Sequence, residues 1–187
     1  MSVNSQEYYR VVEECALTGR NFPISNGMPE HAVYLMTLML RHAKKNIRLL
    51  TEELPNEVGG ADSEKTSMYA DSSLINAAEK FLKNAEAKLD ILLQTGIDLK
   101  SRTLIKVLKE KKERQEILGT INIHLAKGKA ISLENHFMVM DSTAYRVETD
   151  HGHTKAVANF GDHETAKKLV DFFDNVLWPD SLLVEVI

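Results

Sequence analysis

The chain has 187 residues, 43% of them hydrophobic and 27% charged, with a formal net charge of −4. That length suits one domain with one sizeable core. The weakly acidic balance excludes a global attraction to nucleic acid or acidic membranes, so any phosphate-binding surface must be local. The only cysteine, Cys15, excludes an internal disulfide. The start MSVNSQEYYR has neither the basic residues nor the apolar core of a secretion signal, so a cytoplasmic location is expected.

Residues 1–28 are set apart as an N-terminal segment, and 29–187 are assigned to the domain. Pro29 suits a first helical turn, and the run from Glu30 to Lys45 is apolar on nearly every face before ending in basic residues, which predicts a central helix. Its most apolar part, HAVYLMTLML, is about half the roughly 20 residues that cross a bilayer, so no membrane span is expected. NIRLLTEEL (46–54) predicts a buried strand stopped by Pro55. NEVGGADSEKTS (56–67) reads as a polar loop. Asp71 or Ser72 caps a helix through about Asn84, with Leu74, Ile75, Ala78, Phe81 and Leu82 at helical spacing.

AKLDILLQ (87–94) predicts a second strand, and DLKSRTLIKVLKEKKER (98–114) a helix whose lysines form a solvated outer face. GTINIHLA (119–126), HFMVMD (136–141), TAYRVET (143–149) and KAVANF (155–160) are short alternating or β-rich runs separated by turn residues, and predict successive strands. DHETAKKLVDFFDNVLW closes the domain as an amphipathic helix capped by Asp162, with Leu169, Phe172, Phe173, Val176 and Leu177 along its apolar face. The order predicts an α/β sandwich with a mixed β-sheet flanked by helices.

This order resembles the phospholipase D superfamily half-domain, and the similarity is local at HFMVMDSTAYRVE followed by AVANFGDHETAKKLVDFFDNVLW. In that family a strand carries H-x-K-x4-D, the chain turns, and a second strand ends in G-S-x-N before a helix. The stretch FMVMD looks like the first strand, which places Asp141 on the family's aspartate. AVANF looks like the second, which places Asn159 on the asparagine. The resemblance runs from about residue 29 to residue 178. Counting back from Asp141, the family's histidine falls on Glu134 and its lysine on His136; the glycine and serine fall on Ala156 and Val157. The catalytic pattern is degenerate. In the family the histidine is the nucleophile and the lysine supports the phosphate's charge, so a carboxylate in the histidine's place repels a phosphodiester instead of attacking it.

DHGHTK (150–155) offers a rival motif, because His153-x-Lys155 repeats the H-x-K spacing, although Asp162 follows two residues too late. A hairpin tip with Asp150 and Gly152 in the turn accounts for the same residues. His151 and His153 with Asp150 have borderline spacing for zinc, without cysteine partners. His124 beside Lys127 and Lys129 is a candidate anion-binding corner. Cys15 sits among acidic residues, which discourages thiolate chemistry. No P-loop, dinucleotide fingerprint, nucleophile elbow or paired-cysteine metal site occurs.

The resemblance therefore implies a non-catalytic phospholipase D-like module that binds a phosphate-bearing ligand, such as nucleic acid, or a protein partner within a larger bacterial-type system. The alternative is a homodimeric, metal-independent phosphodiesterase or nuclease with a rearranged site, using His136 or His153 as nucleophile with Lys155, Asp141 and Asn159. A third reading is a structural interaction subunit that engages a partner through SQEYYRVVEECAL and the 56–67 loop. Self-association is expected, because the family's fold is built from two such halves. No cofactor and no metal are expected.

Overall fold

The computed structural model describes residues 5–54, 68–96, 98–150 and 155–187. In chain order the elements are α1 (Ser5–Thr18), β1 (Ile24–Asn26), α2 (Pro29–His42), β2 (Asn46–Thr51), α3 (Ser72–Leu82), β3 (Lys88–Leu93), α4 (Thr103–Glu113), β4 (Thr120–Leu125), β5 (Phe137–Met140), β6 (Ala144–Asp150), β7 (Lys155–Asn159), α5 (His163–Phe172) and β8 (Leu182–Val186). The strands form one mixed sheet in the order β1-β7-β6-β5-β2-β3-β4-β8. β2, β3 and β4 run parallel, and the other neighbours are antiparallel.

The adjacent leucines of NIRLLT and KLDILL explain why β2 and β3 lie at the centre. A parallel strand crossed by helices must be covered on both faces, and Leu49 and Leu50 are both buried, one on each side. Leu49, Leu89 and Ile91 share one core with α1, α2, α3 and α4, while Leu50, Leu92 and Val139 meet Ala166, Phe173 and Leu177 from the other face. α2 carries the largest share of the first core, with Leu35, Met36, Leu38, Met39 and Leu40 buried. Pro29 opens it, and the extended backbone of Ala43 ends it. Asp71 caps α3 by accepting the Ser73 N–H at 2.7 Å.

Four parts of the chain depart from the sequence expectation. The helix expected over 98–114 is divided: Leu99–Ser101 is a separate 3₁₀ turn, and Arg102 has an extended backbone before α4 begins. The last helix does not continue regularly to Trp178, because Phe173–Leu177 forms a π-helical turn with the Trp178 N–H bonded to Phe173 C=O at 2.8 Å. That extra residue turns Trp178 onto His124, with ring centroids 3.8 Å apart. PDSLLVEVI supplies β8, which pairs with β4 and carries a bulge opposite Ile123 and His124. The residues set apart as an N-terminal segment are built into the same core: Val12, Cys15 and Ala16 of α1 are buried, and β1 extends the sheet beside β7.

The turn after β7 shows how tightly that segment is seated. A Cβ at Gly161 would lie 2.2 Å from the Gly19 carbonyl oxygen and 2.5 Å from the Asn21 nitrogen. These are backbone atoms with no rotamer to change, so the chain after α1 must move. Gly161→Ala is expected to lower unfolding free energy by about 1–3 kcal/mol in urea denaturation; Gly27→Ala, which meets nothing within 4 Å, serves as the control.

Candidate functional site

Register across the sheet brings together residues far apart in sequence. Asn26 pairs with Ala156, Ala156 with Glu148, and the Glu148 N–H bonds the His136 carbonyl at 2.8 Å. Paired residues point to the same face, so Asn26, Glu148 and His136 form a polar row across β1, β6 and the start of β5. Arg146, two residues before Glu148, projects to that face too. The row lies at the end of the sheet where the parallel strands β2 and β3 present their carboxyl ends, the usual place for ligand sites in open α/β sheets.

The side chains form one network. His136 is 9% exposed, and both of its ring nitrogens are engaged: Nδ1 with Glu148 Oε2 at 3.2 Å, and Nε2 with Gln94 Oε1 at 2.8 Å. Gln94 is itself fixed, since its amide nitrogen donates to the carbonyls of Ala130 and Leu133, both at 2.8 Å. Arg146 is 3% exposed; it donates to the second Glu148 oxygen at 2.9 Å and to Asn26 Oδ1 at 3.3 Å. Tyr69 joins from the helix side by donating to Thr51 Oγ1 at 3.2 Å. Two buried polar atoms at this end have no hydrogen-bond partner among the described residues, Nη2 of Arg146 and the hydroxyl of Tyr8.

Burial alone raises the Glu148 pKa, but the hydrogen bond to His136 and the charge and hydrogen bond of Arg146 outweigh it and bring it from the usual 4.5 down to about 2. Burial raises the Tyr69 hydroxyl to about 12, with the Glu148 carboxylate adding to the rise. At neutral pH the network therefore has an anionic glutamate held between the Arg146 guanidinium and the His136 ring, with a neutral phenol nearby.

The residues expected to share a site are dispersed. Asp141 ends β5 five residues after His136, about 17 Å away at strand rise. Its carboxylate accepts the backbone N–H groups of Lys44, Lys45 and Asn46 at 2.9, 3.0 and 2.8 Å, and its φ is +50°. Asn159 pairs with Tyr145, on the row of Val139 and not of His136. Its amide donates to Asn21 and accepts from the Gly161 and Asp162 N–H groups, shaping the turn into α5. Glu134 is exposed in the segment before β5. Lys155 begins β7 opposite Asp150 and is exposed. His151 and His153 lie outside the described residues, as does the 56–67 loop.

Other candidates resolve into structural roles. His124 bonds Ser181 Oγ at 2.6 Å and stacks on Trp178. On α4, Lys109 and Lys111 are paired with glutamates, and Lys112 donates to the Leu118 and Gly119 carbonyls. Burial raises the Cys15 thiol pKa. Among the described residues no group of histidine, cysteine, aspartate and glutamate side chains is placed to hold a metal. No helix among them is long and apolar enough to cross a membrane. Sequence reasoning missed Gln94, Arg146, Glu148, Asn26 and Tyr69. The available signal was Arg-x-Glu inside a β-run: alternation puts both charges on one face, and a buried strand tolerates that only when they are paired.

No protein-family model matches the chain, and no curated protein matches it in sequence. Solved structures share its fold, TrmBL2 and NucT among them. TrmBL2, an archaeal chromatin protein described as showing a novel mode of DNA binding, aligns with a TM-score of 0.57 and 12% identity over 96% of this chain and 62% of its own. NucT from Helicobacter pylori aligns with a TM-score of 0.55 and 8% identity over 88% of this chain and 99% of its own. This chain thus spans less than two thirds of TrmBL2 and nearly all of NucT. The fold is a phospholipase D-like α/β sandwich.

Glu148→Gln leaves Arg146 buried without its counter-charge and is expected to cost about 3–5 kcal/mol. Because the folded-state pKa is depressed, the stabilisation from ionised Glu148 is fully present above pH 4.5 and is lost as pH falls toward 2. Denaturation curves of parent and variant should converge over that window. Asp141→Ala removes an acceptor from three N–H groups and is expected to cost about 2–4 kcal/mol, measured the same way.

Proposed function

We propose that this protein is a non-catalytic phospholipase D-like module that binds a phosphate-bearing ligand, nucleic acid being the class suggested by its fold neighbour TrmBL2. The observation that carries the reading is His136. A histidine nucleophile needs an accessible nitrogen lone pair, whereas both nitrogens of His136 are bonded and the ring is 9% exposed. Glu134, on the position the family gives to its nucleophile, brings a carboxylate that repels phosphate.

Binding requires a local cationic surface on an acidic chain, and one lies at the opposite end of the sheet. Arg41, Lys44 and Lys80 line a cleft of about 220 Å³ between the C-terminal ends of α2 and α3, next to Asn84. None of the three forms an ion pair among the described residues. Each helix end contributes about half a negative charge and the Asp141 carboxylate on the Lys44 N–H a full one, so the three cations leave the cleft near +1. The module is further read as a homodimer acting in the cytoplasm, as the half-domain architecture suggests.

Incubation with single- and double-stranded nucleic acid and a generic phosphodiester, with and without zinc, tests the catalytic half. No cleavage is expected, because loss of a covalent nucleophile costs on the order of a million-fold in turnover. Cleavage that disappears in His153→Ala or His136→Ala would replace this reading with a phosphodiesterase. Fluorescence anisotropy with labelled DNA tests the binding half. Affinity should fall with salt, and replacing Arg41, Lys44 and Lys80 by alanine should flatten the log–log slope by up to about 3. A parent that binds neither nucleic acid nor inorganic phosphate contradicts the binding half.

A further inference from the structure

A second concave site lies on the helical face, beside the Tyr8 and Tyr69 edge of the His136 network and away from the basic cleft. A cavity of about 450 Å³ opens between α1, the first turns of α2 and the Met68–Ser73 segment, a volume in the range of small-molecule pockets. Two tyrosines from different helices wall it, Tyr9 of α1 and Tyr34 of α2, set edge to face with centroids 4.8 Å apart. Tyr9 also packs edge-on against His31 at 5.8 Å, and His31 stacks on Tyr8 at 3.8 Å. These contacts fix the ring planes before any ligand arrives, which lowers the ordering cost of binding.

The polar lining is acidic. Glu30 in the first turn of α2 and Asp71 at the cap of α3 enter from separate elements, and no lysine or arginine among the described residues lines the cavity. The starts of α2 and α3 also lie here, and two helix N-termini contribute about half a positive charge each. Two carboxylates against those dipoles leave the site near −1. His31 adds nothing to offset this, since burial lowers its pKa below the ordinary value and it is neutral at pH 7. Asp71 accepts the Ser73 N–H and hydroxyl at Oδ1, and the backbone N–H of Leu74 also bonds the carboxylate. Val33 and Met68 complete the wall with apolar surface.

We infer that this cavity binds a small organic cation of the alkylammonium class, with the charge against the Tyr9 and Tyr34 rings and the Glu30 and Asp71 carboxylates beside it. An ammonium carrying methyl groups satisfies each wall: its positive charge is attracted to the ring faces, its methyls meet Val33 and Met68, and its size suits the volume. An inorganic cation would forgo the aromatic and apolar contacts, and a phosphate would face two carboxylates. This ligand class is separate from the phosphate-bearing one above, so the two readings stand or fall independently.

Calorimetric titration of the full chain tests it, with choline as a quaternary ammonium probe and 3,3-dimethylbutan-1-ol as its uncharged isostere. Choline is expected to bind with a dissociation constant below about 1 mM, and the isostere at least tenfold more weakly. Tyr34→Leu and Glu30→Gln should each weaken choline binding by about five- to tenfold. Glu30 is exposed, so its variant should fold normally, and an unchanged melting temperature checks this. Glu30→Lys should abolish binding. No choline binding at about 10 mM, equal binding of the isostere, or choline affinity unaffected by Glu30→Gln would each overturn the proposal.

Discussion

The polar end of the sheet depends on the Glu148 carboxylate, which takes hydrogen bonds from Arg146 and His136 while it is largely out of water. A buried anion of this kind is stable only while both partners stay in place. Arg146 reaches on to Asn26 of β1, and His136 reaches on to Gln94 at the end of β3. One carboxylate therefore ties together four strands and the Lys127–Leu133 segment to which Gln94 is bonded. The order of β1, β7, β6, β5, β2 and β3 across the sheet is what makes this reach possible.

The same arrangement governs the chemistry. A phospholipase D-type site needs a free imidazole facing a phosphate, with positive charge to receive it. Here the imidazole is locked between an amide and a carboxylate, and the guanidinium is spent on that carboxylate. Asp141 and Asn159 hold turns at other points of the sheet, where they satisfy backbone N–H groups. Cationic side chains gather instead at the far end, where those of Arg41, Lys44 and Lys80 form no ion pair among the described residues. Asp141 lies beside this basic cleft through its bond to the Lys44 N–H, whereas His136 lies at the other end of the sheet, so the histidine and the cationic surface do not share a location.

Much of the fold was legible because burial on two faces leaves a direct mark. The paired leucines of β2 and β3, the periodic run of α2 and the alternating strands after Gly119 all lie where the pattern puts them. α1, β1 and β8 were not assigned. The first has charged residues on most of its surface, and the last exposes Leu182, Leu183, Val184 and Val186, so neither presents a clean one-sided period. The π turn at Phe173 was hidden because a single extra residue barely alters helical spacing. His136 and Asp141 could be picked by motif, but motif spacing along one strand says nothing of cross-strand neighbours. Gln94, Asn26 and Arg146 enter the network only through sheet order.

The central claim, that His136 is a locked structural residue and not a nucleophile, is most directly tested by a crystal structure grown with orthovanadate. Vanadate mimics the five-coordinate phosphoryl transition state and bonds a histidine nitrogen that is poised to attack. The account predicts density for His136 still bonded to Gln94 and Glu148, with no vanadium near either ring nitrogen. A vanadium–nitrogen bond at His136, with Gln94 or Glu148 displaced, would contradict it.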